Sequence, residues 1–394
     1  MKNKLIYIKH NIEDYILSIT AMGQSFLSIL QQLLIDVLQM SEESANTIRV
    51  LATAIPILIA MTFVGRRQFK SIIAVYIPVL IILFFTVIIW PARWSIMSND
   101  VLKFLLPVVI PTGLCILSIK NLKVFFDCAF FVSVASFIIA VLYVYGFFTG
   151  AIIFDGYSMG FSYSILLPCV ILMTQNKYVW KISSVFLLIS MLAIGSRGAL
   201  LTSLIYFLIL YVWHRPIKKV LVYGCVLGIL VILLYNPIID LFTDLFSSIG
   251  IESRTLSLLT DGELINHDSG RDELKLGAKK LIDDAPLFGN GVWADREYLN
   301  IYCHNIYLEL LIDFGYIGGW ILILLFSTYI LSSFKCLNKQ HRLVLIMFLV
   351  STITPLMASS SYLISYNLSM ALGVAGLLKR CAKNKVYQSV NFSE

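Results

Sequence analysis

The stretch SIIAVYIPVLIILFFTVIIW, residues 71–90, decides the fold class. It holds twenty residues without a charge, the length an α-helix needs to cross the hydrocarbon of a bilayer. Runs of similar length recur along almost the whole chain, which is 59% hydrophobic and 13% charged with a mean hydropathy of +0.85. A water-soluble domain of 394 residues needs far more surface charge. The chain therefore reads as all-α and polytopic, with the bilayer as its solvent.

Working outward from 71–90, about twelve spans are predicted, near 14–38, 48–64, 71–90, 101–118, 122–148, 158–175, 179–194, 198–213, 218–236, 304–331, 342–358 and 362–379. The first is amphipathic, through Gln24, Gln31, Gln32 and Asp36, and an interfacial helix is its alternative reading. Basic residues set the direction. Alternate segments hold 20 of the 30 Lys and Arg, from Lys2, Lys4 and Lys9 through Arg66, Arg67 and Lys70 to Lys379, Arg380, Lys383 and Lys385. The positive-inside rule then puts both termini in the cytoplasm. This distribution also explains the net charge of +7 without nucleic acid. The basic start, with no small-residue cleavage site after it, reads as a retained tail. The seven Cys form no C-x-x-C pair and read as small buried hydrophobes. No metal-ligand cluster or Gly-rich nucleotide loop is visible, so no cofactor is expected.

The organisation that follows is spans 1–9 over 1–236, a long loop over 237–303, spans 10–12 over 304–379 and a tail over 380–394. The loop carries twelve acidic and six basic residues and faces the periplasm in this topology. Ser269 with Asp272 reads as a capping box, and Leu274, Ala278, Leu281 and Ile282 repeat with a helical period, predicting an amphipathic helix near 270–283. Pro286, Gly289 and Gly291 end it. A loop of this length with its own helix is a candidate functional cover.

Candidate chemistry gathers on that side. Arg197, in Gly195-Ser196-Arg197-Gly198-Ala199, reads either as snorkelling to the interface or as an anion clamp among small residues. Arg271 lies in the first turn of the loop helix, where a cation opposes the macrodipole and so serves no local stability; a helix N-terminus also attracts anions. Arg254 reads first as a surface residue. His304, in Tyr302-Cys303-His304-Asn305, opens the tenth span beside Tyr298, Tyr302 and Tyr307. It reads as part of an aromatic belt or as a base near neutral pH. Glu309 and Asp313 are four apart on one helix face and should point inward, paired with an Arg such as Arg197 or orienting catalytic groups.

These segments resemble a family. Ser196-Arg197-Gly198-Ala199, Ser269-Gly270-Arg271, Ala285-Pro286-Leu287-Phe288-Gly289-Asn290-Gly291, His304-Asn305-Ile306-Tyr307-Leu308-Glu309-Leu310-Leu311 and Gly315-Tyr316-Ile317-Gly318-Gly319 are similar, in order and spacing, to the O-antigen polymerase and O-antigen ligase superfamily. The resemblance implies a GT-C-like membrane glycosyltransferase architecture. It also implies transfer of an oligosaccharide from undecaprenyl diphosphate to an acceptor sugar outside the inner membrane, with no metal or nucleotide. By the same resemblance Arg197 and Arg271 grip the diphosphate and His304 handles the acceptor hydroxyl; Arg254, Tyr302, Asn305 and Glu309 are expected to bind substrate. The polymerase is favoured over the ligase on the Tyr-Leu-Glu-Leu-Leu and Gly-Tyr-Ile-Gly-Gly segments, and the implied partners are the lipid-linked oligosaccharide, the bilayer and a separate chain-length regulator. The rivals from other classes are a twelve-helix secondary transporter, whose site would lie at the midplane between repeats, and a structural scaffold.

Overall fold

The structure is a computed structural model that describes residues 11–149, 158–194, 196–213, 239–248, 254–260 and 271–384, with a few isolated positions besides. Every regular element among them is helical: α1 (Ile12–Gln32), α2 (Glu42–Ile89), α3 (Arg93–Ser118), α4 (Leu122–Phe148), α5 (Met159–Met173), α6 (Tyr178–Ala193), α7 (Arg197–Trp213), α8 (Arg254–Thr260), α9 (Arg271–Asp284), α10 (Ala294–Leu299), α11 (Ile306–Cys336), α12 (Lys339–Ala358) and α13 (Tyr366–Lys383). Among the described residues five are long and apolar enough to cross a membrane: α2, α3, α4, α11 and α12. Helices α5, α6 and α7 are apolar but shorter. The span expected at 218–236 and the capping Ser269 lie outside the described residues.

The spans expected at 48–64 and 71–90 are two arms of α2, broken at Gln68 (φ −140, ψ 37). Arg49 on one arm lies over the Phe104 ring, and Tyr76 on the other donates to the Leu106 carbonyl. Between them, Arg67 donates to the Ser118 carbonyl at the far end of α3. Both arms therefore run beside α3, and the chain doubles back at Gln68. The 48 residues of α2 would otherwise make a rod of about 72 Å, more than twice the hydrocarbon thickness.

The chain forms two compact units, one of residues 1–24, 47–131 and 269–391, the other of 25–46, 132–268 and 392–394. In the first, α13 is an inner helix rather than an apolar span. Its small residues let it lie close against α3, with Ser369 Oγ accepting from Gly113 N at 3.1 Å and Gly373 backing onto the Gly113 carbonyl. At the C-terminal end of α3 the orphan carbonyls are satisfied by cations: Arg380 donates to Leu117 and Ile119, and Arg67 to Ser118. Arg67 is itself paired with Glu13 and Asp14.

In the second unit α5, α6 and α7 pack through small polar residues. Ser184 Oγ donates to the Cys169 carbonyl at 2.7 Å, and Ser196 N to Ser162 Oγ at 2.9 Å. The Tyr143 and Phe161 rings stack at 4.2 Å, and Tyr143 donates to Asp36 at 2.6 Å. That bond gives the amphipathic first segment a polar partner: α1 continues as a π-helix, Leu33–Val37, that carries Asp36.

Candidate active site

The site in the first unit is built on a broken helix. Gly315 has φ +64 and ψ −173, a conformation open in practice only to glycine. Such a break strands helix carbonyls on one side and N–H groups on the other. The turn 285–291 supplies both sets. Asn290 N and Gly291 N donate to the carbonyls of Ile312 and Asp313, at 2.7 and 3.0 Å. Tyr316 N and Ile317 N donate to the carbonyls of Pro286 and Leu287, at 2.7 and 3.2 Å. The approach is so close that a Cβ on Gly289 would meet Gly315 N and one on Gly315 would meet the Leu287 carbonyl. The recurring Pro-Leu-Phe-Gly-Asn-Gly and Gly-Tyr-Ile segments are thus two halves of one junction.

Around this junction the loop is folded. Helix α9 begins at Arg271, as the periodicity predicts, and buries Ala278, Leu281 and Ile282 against Ala294, Cys303 and Ile312. Asn290 Nδ2 donates to the Leu281 carbonyl at 2.7 Å, closing the helix end. Arg93, at the start of α3, is fully buried. It bonds Glu297 at 2.5 Å, donates to the Asn290 carbonyl, and lies 4.3 Å from the Trp90 ring. Trp293 Nε1 donates to Asp100 at 3.3 Å. The loop is therefore pinned to α3 as well as to α11.

Glu309 and Asp313 point inward together, 1% exposed each. Their cation is Arg296, and the expectation of an Arg such as Arg197 is corrected here. Arg296 Nη1 donates to Glu309 at 3.1 Å and to Asp295 at 2.8 Å; its Nη2 donates to Ser361 Oγ at 2.6 Å, and Ser361 donates to Glu309. Burial alone would weaken the hold of Arg296 on its proton, but Asp295 and Glu309 outweigh it and raise the pKa. Asp313 accepts from the Tyr362 hydroxyl at 2.6 Å. Glu309 also accepts from Tyr362 N at 3.2 Å.

His304 precedes α11 rather than opening it, because Asn305 is the N-cap and accepts from Tyr307 N and Leu308 N. Its backbone is left-handed, φ +53, and so are those of Trp293 and Asn300 in the same loop. Outside glycine this conformation is uncommon, and histidine is among the residues that adopt it most readily. The neighbouring contacts are on both sides: Cys303 N donates to Asp295 at 3.2 Å, and the Tyr302 ring lies 4.3 Å from the imidazole. Tyr302 is in turn fixed by donating to the Ser359 carbonyl at 3.0 Å and by the Arg296 guanidinium 5.4 Å from its ring. His304 Nδ1 is buried without a hydrogen-bond partner. Burial, then the charge of Arg271, then that of Arg296 push the imidazole pKa below its ordinary value. The structure thus brings together Arg271, Tyr302, His304, Asn305 and Glu309.

Arg197 and Arg254 belong to the other unit. Arg197 is half-buried at the first position of α7, and Gly198 beside it takes the Tyr163 hydroxyl where a Cβ would sit. Arg254 begins α8. Among the described residues no group of three or more His, Cys, Asp or Glu is arranged to hold a metal ion.

Residues 182–324 match the family model described as O-antigen ligase. This stretch is similar to the O-antigen polymerase and ligase superfamily. The matched segment takes in α7, the long loop and the first part of α11, and so includes both halves of the glycine junction and His304. No curated protein matches the chain. The five long apolar helices among the described residues fit a multi-pass membrane protein, and the match over 182–324 is to a family of O-antigen polymerase or ligase type.

Proposed function

We propose that the protein polymerises undecaprenyl-diphosphate-linked oligosaccharide repeat units, moving a glycan from its lipid diphosphate to a sugar hydroxyl on the periplasmic face of the inner membrane. The carrying observation is His304: an imidazole held in a left-handed backbone, with Nδ1 unpartnered and its charged form disfavoured. A neutral imidazole with a free nitrogen can accept the proton of an attacking hydroxyl, a contribution of about 10²–10⁴ in rate. Arg271, close enough to depress that imidazole, neutralises the departing diphosphate. Arg197 is the candidate for a second guanidinium, and Arg254, Tyr302 and Asn305 are the candidates for binding substrate. Buried Arg296 and Glu309 act by position, holding Tyr302 and the start of α11 so that His304 keeps its pose. The bond that breaks joins the sugar to the diphosphate and already carries the energy, so neither nucleotide nor metal enters the reaction.

The ligase is the second reading, favoured by the description of the matching family. The two part in a strain lacking its own polymerase and carrying the gene. A ladder of long glycan chains on lipopolysaccharide supports the polymerase. Restoration of glycan attachment only in a strain lacking its ligase supports the second reading. Neither restoration, with flux of a small solute instead, would return the transporter.

A further inference from the structure

The geometry points to a lipid contact outside the catalytic cluster: the tip of the 285–291 turn, Leu287 and Phe288, is an anchor that inserts into the outer boundary of the bilayer. The two side chains are 56% and 77% exposed, although their backbone is bound tightly to the α11 break. A large aromatic held rigidly in the open is costly in water and natural in an interface.

Depth follows from α11. From Gly315 to Lys335, in the last turn, the helix rises about 30 Å, the thickness of the hydrocarbon core. With Lys335 at one boundary, Gly315 stands at the other, and the turn is fastened there by four main-chain bonds. The residues just beyond the break continue the same apolar surface: Tyr316, Ile317, Trp320 and Ile321 are all about half exposed. The occupant is therefore acyl chain beneath headgroup, not a protein partner. On the water side of the same break stand Asp313, Glu309 and the His304 loop, so the anchor would hold the cluster against the membrane surface. This inference needs only the fold and survives if the catalytic reading fails.

The test is a depth measurement on the full-length protein. Phe288→Cys, Leu287→Cys and, as a control, Leu276→Cys are each made in a Cys336→Ser background and labelled with an environment-sensitive nitrobenzoxadiazole probe. The signal of the unsubstituted background is subtracted. Leu276 is exposed among the charged residues of α9 and should stay in water. In nanodiscs of phosphatidylcholine and phosphatidylglycerol, the probes at 287 and 288 are expected to emit blue-shifted light. They should lose most of their intensity to lipids bearing a nitroxide high on the acyl chain and resist aqueous iodide. Iodide quenching at both positions equal to that at 276, with no nitroxide effect, would overturn the anchor.

Discussion

At the scale of residues, the proposed chemistry rests on the His304 imidazole, whose pKa would then set the pH response. Burial and two nearby guanidiniums lower that pKa, with a hydrogen bond to the Ser359 backbone and, more weakly, Asp295 from α10 pulling the other way. The neutral, proton-accepting form therefore persists below the ordinary value of about 6.5. Activity should hold level from pH 8 down through 6.5 and fall only below it, as the lowered pKa is crossed. Arg271→Gln removes one of the two depressing charges and should move that acidic limb upward, besides lowering the rate. A limb that stays put in the variant would detach Arg271 from His304. The same shift has a stability sign: the unfolded chain binds the proton more readily, so the contribution of His304 is complete above about 6.5 and drains as pH falls toward the lowered pKa. Arg296 makes a different prediction. Its loss leaves Glu309 and Asp295 buried without their cation, which costs about 3–5 kcal/mol. Arg296→Met should lower the melting temperature markedly in detergent, whereas Arg271→Gln, at a less buried position, should leave it nearly unchanged. Of these groups, His304, Arg271 and the inward carboxylates were legible as residue types in their spacing. Arg296 was not. Between Asp295 and Glu297 it looks like any solvated arginine, and only the tertiary fold carries it to Glu309, thirteen positions on.

Between elements, the glycine junction of α11 does the organising. Two glycines at positive φ and four main-chain bonds join a loop to a helix. Gly315→Ala adds a Cβ where the Leu287 carbonyl sits and forces alanine into a conformation it avoids, a cost of about 1–3 kcal/mol before the clash is counted. Protease sensitivity of the 285–291 turn should rise sharply in that variant. Gly23→Ala, at a position where a Cβ meets nothing within 4 Å, should leave it unchanged. Glycine and proline spacing announced the turn, and a 3.6-residue period announced α9, because both signals are local. The α2 bend was less legible. Gly65-Arg66-Arg67-Gln68 reads as a loop between spans, but the chain keeps its helical bonds up to and beyond Gln68 and reverses there. Helix α13 was legible as the span expected at 362–379, and its burial among neighbours lets it carry Ser369, Gly373 and Gly376.

Across the whole molecule, the candidate residues are divided between the two units. Arg197 heads α7 in one unit; Arg271 and His304 sit in the other. If both guanidiniums meet the same diphosphate, Arg197→Ala, inserted and folded normally, should abolish long glycan chains while single repeat units still reach the core. Unchanged chain length would remove Arg197 from the clamp and leave the first unit to act alone. The central claim is tested most directly with purified protein in nanodiscs, supplied with a lipid-diphosphate-linked repeat unit and followed for glycan elongation and release of the lipid diphosphate. The account predicts elongation by the wild type and a loss of about 10²-fold or more in His304→Ala at an unchanged melting temperature. Elongation by His304→Ala at the wild-type rate would contradict it.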